Sequence, residues 1–85
     1  MKLTPLESKV MLALFASSRG NGHDFGLIEE ARIAVALQTP GALGGVVSSL
    51  IQKGVITVHD KINGWTQFTF NDFPTVEAWH AKQNA

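Results

Sequence analysis

The chain has 85 residues, seven basic and seven acidic side chains, and no cysteine. Its length and its 45% content of hydrophobic residues are those of one globular domain with one core, which excludes a second domain and a disordered chain. Without cysteine there can be no disulfide or thiolate metal site, and no apolar run is long enough to span a bilayer.

The first predicted helix begins with a capping box. Thr4-Pro5-Leu6-Glu7 places threonine at the N-cap, proline at the first helical position and glutamate three residues after the cap. We expect this helix to run from Pro5 to about Ala16. Its core face, at three- and four-residue spacing, is Leu6, Val10, Met11, Leu14 and Phe15.

The second predicted helix follows a loop at residues 17–24, which is rich in turn formers and lacks apolar periodicity. We expect this helix to end near Leu37. Its apolar face consists of Leu27, Ile28, Ala31 and Val35.

The third predicted helix runs from Pro40 to Lys53, with Thr39 as its N-cap and Gly54 at the left-handed position behind it. Its core face is Leu43, Val46, Val47, Leu50 and Ile51. Its outward face is small, polar and uncharged, and consists of Gly41, Gly45, Ser48, Ser49 and Gln52, with Ala42 and Gly44 at the flanks.

A β-hairpin follows, and its register is predicted from the rule that directly opposed residues share a face. A three-residue loop, 62–64, pairs Ile56 with Phe70 and Val58 with Phe68, so that the apolar residues face one side. The other face then carries Thr57 with Thr69, His59 with Gln67, and Lys61 with Trp65.

The last predicted element is a short helix, capped by Asp72 or Thr75, that carries Val76 and Trp79. The spacing of these two residues indicates that Trp79 closes the core. We expect residues 1–82 to form the single domain and residues 83–85 to be a frayed tail.

The segment from Ala36 to Ile56, with its serine-containing helix and the step from Leu50 through Gly54 to Ile56, resembles winged helix-turn-helix regulators of the MarR type. The resemblance implies a small α+β domain of three helices, a β-hairpin wing and a short C-terminal helix. It also implies that helix three enters the major groove while the wing contacts the backbone or the minor groove. The DNA-contacting residues implied are Thr39, Ser48, Ser49, Gln52, Lys53, Lys61 and Trp65.

Two functions remain open. The first is a DNA-binding transcription regulator, for which Arg32, Lys53 and Lys61 would contact phosphates, and a homodimer would double these contacts. The second is a protein-interaction module in which the face with Gly41 and Gly45, together with Trp65, docks onto another protein. Small domains of this kind look like products of phages and other mobile elements. The two functions differ in whether acids such as Glu29, Glu30 or Asp60 interrupt the basic face.

Each candidate binding residue also has a purely structural interpretation. The glycines of helix three allow close approach by a partner, or they pack against helix one or the long loop. The serines and Gln52 of this helix read base edges or are simply solvated. Trp65 is a binding residue or covers the stem of Lys61.

Catalysis, metals and cofactors are not expected. The pair His23-Asp24 lacks a nearby nucleophile, the three histidines are far apart, and Gly20-Asn21-Gly22 lacks the ending of a phosphate loop. We expect no membrane contact, and no signal peptide because Met1-Lys2-Leu3 leads directly into a capped helix. The absence of cysteine makes a cytoplasmic location the expected default.

Overall fold

The computed structural model describes residues 2–18, 23–34 and 42–83. Over these residues the chain is a small α+β protein with four helices and a three-stranded antiparallel sheet. The elements in chain order are α1 Pro5–Ser17, β1 Phe25–Leu27, α2 Ile28–Ala34, α3 Ala42–Gln52, β2 Ile56–Ile62, β3 Trp65–Phe70 and α4 Phe73–Gln83. The predicted end of helix two and the start of helix three lie outside the described residues.

Helix α1 begins with the predicted capping box. The hydroxyl of Thr4 accepts the N–H of Glu7 at 3.1 Å, and the Glu7 carboxylate accepts the N–H of Thr4 at 2.8 Å. The predicted core face is confirmed except at Leu6, which is 42% exposed because it lies in the first turn at the margin of the apolar face.

Helix α3 ends in a Schellman motif, in which Gly54 has φ +75°. The N–H of Gly54 donates to the carbonyl of Ile51, and that of Val55 donates to the carbonyl of Leu50, both at 3.0 Å. Val55 and Leu50 are both buried. Ile51, expected in the core, is instead 43% exposed, because the face of α3 that contacts the core is narrower than the apolar face predicted from the sequence.

Strand β1 was not predicted from the sequence, which places Leu27 at the start of helix two instead. The strand pairs with β3 in the register Phe25 with Thr69, and the sheet order is β1-β3-β2. Gly26 lies at a close approach: a β-carbon there would be 2.8 Å from the carbonyl oxygen of Ser17 and 3.0 Å from the ring of Phe68. A strand of three residues carries too little alternation to be recognised.

The hairpin of β2 and β3 has the predicted register in its body, where Ile56 pairs with Phe70 and Val58 with Phe68. The predicted three-residue loop is wrong. Ile62 pairs with Trp65, and the loop is Asn63-Gly64, with positive φ at both residues (53° and 84°), as in a type I′ turn.

The pairing in the body of the hairpin and the pairing at its tip differ by one residue, because β2 contains a β-bulge between Val58 and Lys61. Here His59 and Asp60 stand against the single residue Gln67 of β3. The extra residue moves every position beyond it by one, and thus to the other face of the hairpin.

Helix α4 is capped by Asp72, the first of the two predicted candidates. Its carboxylate accepts the hydroxyl of Thr75 at 2.7 Å and the N–H of Thr75 at 3.4 Å. Val76 is buried and Trp79 is half-buried against the core, as the sequence predicts. The helices cover the face of the sheet that carries Phe68 and Phe70. The buried hydrophobic residues are Val10, Met11, Ala13, Leu14, Phe15, Ile28, Ala31, Val46, Leu50, Val55, Ile56, Phe68, Phe70 and Val76.

Candidate binding surfaces

The tip of the hairpin presents two chemically different faces. Lys61 stands opposite Thr66, which is two residues from the buried Phe68 and therefore on the same face of β3. Lys61 thus lies on the side of the sheet that the helices cover. Trp65 stands opposite Ile62 and lies on the other side. The predicted pairing of Lys61 with Trp65 is therefore wrong, because the bulge was not anticipated.

Helix α3 has an open, uncharged face. Gly44, Gly45, Ser48 and Gln52 are all exposed. A β-carbon at Gly44 or Gly45 would meet no atom of the described residues within 4 Å. The described residues thus show no packing against helix one at these two glycines, while residues 19–22 of the long loop lie outside the described part.

Ser49 and Lys53 face α1 and are bound to Glu7. The Ser49 hydroxyl donates to one carboxylate oxygen of Glu7 at 2.6 Å, and the Lys53 ammonium donates to the other, also at 2.6 Å. Lys53 also donates to the carbonyl of Lys2 at 3.2 Å. Ser49, expected on the outward face, is therefore half-buried between α3 and α1.

The hydrogen bonds to Glu7 favour its ionised form. The Lys53 ammonium, then the Ser49 hydroxyl and the Thr4 N–H, lower the pKa of Glu7 from 4.5 to about 2. The sequence indicates only the capping role of Glu7, because its other partners, Ser49 on α3 and Lys53 directly after it, are 42 and 46 residues away.

A second carboxylate joins α2 to the hairpin. Glu29 accepts the N–H of Thr66 at 2.7 Å and its hydroxyl at 2.8 Å. Burial raises the pKa of Glu29, but these hydrogen bonds outweigh burial, and with the attraction of Lys61 they leave the pKa below its ordinary value. The charge of Lys61 is thus partly balanced by Glu29.

A groove lies on the other side of the hairpin, and we call it the wing groove. Its volume is about 370 Å³, and its lining residues are Leu27, Glu30, Asp60, Ile62, Trp65 and Gln67. Two large apolar side chains are exposed there, Ile62 at 67% and Trp65 at 48%. Sequence analysis missed Ile62 because it assigned that residue to the loop.

The charged side chains of the described residues are distributed differently over these surfaces. Lys53 and Lys61 lie on the helix-covered side, and each is beside an acid, Glu7 at Lys53 and Glu29 at Lys61. Glu29 therefore interrupts the basic face, whereas Asp60 and Glu30 line the wing groove. Arg32 is a residue of α2 whose side chain is outside the described part, and Thr39 and Gly41 are outside it entirely.

Within residues 2–18, 23–34 and 42–83, no three histidine, aspartate or glutamate side chains are placed to hold a metal ion. No helix in the same ranges is long and apolar enough to cross a membrane. Comparison with protein-family models, with curated proteins and with solved structures found no significant match.

Proposed function

We propose that the protein is a winged helix-turn-helix domain that binds duplex DNA and regulates transcription. Two observations support the proposal: the open face of α3, and the position of Lys61 on the side of the sheet that the helices cover. An α-helix fits the major groove of B-DNA, and the following hairpin would flank it as the wing.

The residues of the open face suit base reading at short range. Gly44 and Gly45 let the helix backbone approach the floor of the groove, since no side chain intervenes. Gln52 and Ser48 are exposed and can exchange hydrogen bonds with base edges, glutamine preferring adenine. The absence of charge on this face removes any repulsion of the phosphates on either side.

Phosphate contacts would come from Lys61 and Lys53, with Arg32 as a third candidate. Two of the three N–H donors of the Lys53 ammonium already bind Glu7 and Lys2. The available positive charge per protomer is therefore small, and we propose that the protein acts as a homodimer, which doubles these contacts on a two-fold site.

The experiment compares Gly45→Glu with Gly45→Lys in binding to duplex DNA. Both side chains are long and both favour helix, so they differ mainly in charge. We expect glutamate to abolish binding by repelling phosphates, and lysine to retain or raise non-specific affinity. The matched controls are Gln67→Glu and Gln67→Lys, which place the same charges on the opposite side of the sheet.

Thermal melts of all four variants establish that they fold. Equal loss of binding in Gly45→Glu and Gly45→Lys would contradict the proposal, because a close-packed protein interface expels any long side chain whatever its sign. The proposal would also be contradicted if Gln67→Glu and Gln67→Lys changed duplex affinity as much as Gly45→Glu and Gly45→Lys do. Affinity would then depend on the net charge of the protein and not on the face of α3.

A further inference from the structure

The wing groove has features that binding of duplex DNA by α3 does not explain. Ile62 and Trp65 form a cross-strand pair beside the turn, and both leave large apolar areas in water. Neither belongs to the core cluster or packs against it. Exposed apolar side chains gathered at one concave place are typical of an interaction surface.

The bulge in β2 determines the chemistry of this groove. His59 lies on the side of Trp65, with its Nε2 2.8 Å from the hydroxyl oxygen of Thr69, and an uninterrupted register would place Lys61 there as well. The extra residue instead turns Ile62 and Asp60 to that side and Lys61 to the other. The exposed indole of Trp65 therefore shares its side of the hairpin with the carboxylate of Asp60 and not with the ammonium of Lys61.

The charge of the groove identifies the kind of occupant. Asp60 is exposed and lines the groove, together with the half-buried Glu30. An indole face beside a carboxylate attracts an ammonium or guanidinium group through both cation–π and ionic contacts. Leu27 and Ile62 offer apolar contact to the stem of such a side chain or to its neighbour. A phosphate backbone would be repelled.

We propose that the wing groove binds a short basic segment of a partner protein, in which arginine or lysine stands next to a leucine-like residue. The groove volume of about 370 Å³ is near the lower end of ligand sites, so it accommodates a few side chains of a segment and not a folded surface. This surface is separate from the face of α3, so both can be occupied at once.

The test uses a fluorescein-labelled peptide of sequence Gly-Leu-Arg-Arg-Leu-Gly and measures its anisotropy during titration with the full chain. We expect saturable binding that weakens about tenfold in Asp60→Asn and about threefold or more in Trp65→Ala. The matched control is Glu77→Gln, which removes one exposed acid on α4, outside the groove, and should leave binding unchanged. A peptide with glutamate in place of arginine should not bind.

Melting curves check that the variants fold, and Ile62→Ser provides a second apolar variant at an exposed position. A flat titration of the wild type with the basic peptide overturns the proposal. So does equal weakening by Glu77→Gln and Asp60→Asn, which would indicate diffuse charge attraction. If an unlabelled 20-bp duplex displaces the peptide, and Trp65→Ala weakens duplex binding equally, the groove belongs to the nucleic-acid surface and the proposal fails.

Discussion

Gly45→Ala should make the protein more stable and its DNA binding weaker. Glycine within a helix costs about 1 kcal/mol relative to alanine. A β-carbon at Gly45 meets no described atom within 4 Å, so neither a clash nor a lost contact offsets this gain. We therefore expect the free energy of unfolding to rise by about 1 kcal/mol, and the melting temperature by about 4–8 °C for a domain of this size.

The assay combines urea unfolding with duplex titration of the same samples. Because the added methyl group holds the α3 backbone away from the base edges, we expect sequence-specific duplex affinity to fall while stability rises. Gly54→Ala is the matched control: a β-carbon there also meets no described atom, but φ is +75°, so alanine should destabilise by about 1 kcal/mol. If Gly45→Ala is destabilising, the position is packed and our reasoning about the open face is refuted.

Substitutions at three further positions test the fold. Gly26→Ala should lower stability by about 1–3 kcal/mol, because its β-carbon meets the carbonyl of Ser17 at 2.8 Å; an unchanged urea midpoint would mean that β1 is not so close to α1. Gly64→Val should cost about 1–3 kcal/mol through strain at φ +84°, whereas Gly64→Asn should cost less; equal midpoints for the two would argue against the turn. The pKa of Glu7 falls from 4.5 to about 2, so its stabilising contribution is complete above pH 4.5 and is lost as the pH falls to 2. Glu7→Gln should therefore reduce the urea midpoint at pH 7 more than at pH 2, and an equal reduction at both would contradict the ion pair.

The features that could be predicted from the sequence depend on neighbouring residues. The capping box of Thr4 and Glu7, the left-handed Gly54 and the Asp72 cap each involve groups within five residues of one another. The body of the hairpin was also predictable, because burial of Ile56 and Phe70 on one face fixes the register.

The features that could not be predicted depend on residues far apart. Strand β1 exists because β3 pairs with it, more than 40 positions later in the chain. The bulge at His59 and Asp60 has no marker of its own, and it places Lys61 on the face opposite Trp65, whereas the sequence predicts both on one face. For the candidate site, the unpredicted bulge matters more than any helix boundary. It separates a surface suited to phosphates, which carries Lys61, from a surface suited to cations, which carries Trp65 and Asp60.

The salt dependence of duplex binding reports how many phosphates the protein's cations neutralise. Each phosphate contact contributes about 0.9 to the slope of log affinity against log salt concentration, so Arg32, Lys53 and Lys61 together predict a slope of roughly −3 per protomer. Lys61→Gln should make that slope shallower by about 0.9, whereas Lys82→Gln on α4 should leave it unchanged. A wild-type protein that binds no duplex at low salt, or a slope that Lys61→Gln leaves unchanged, would contradict the account.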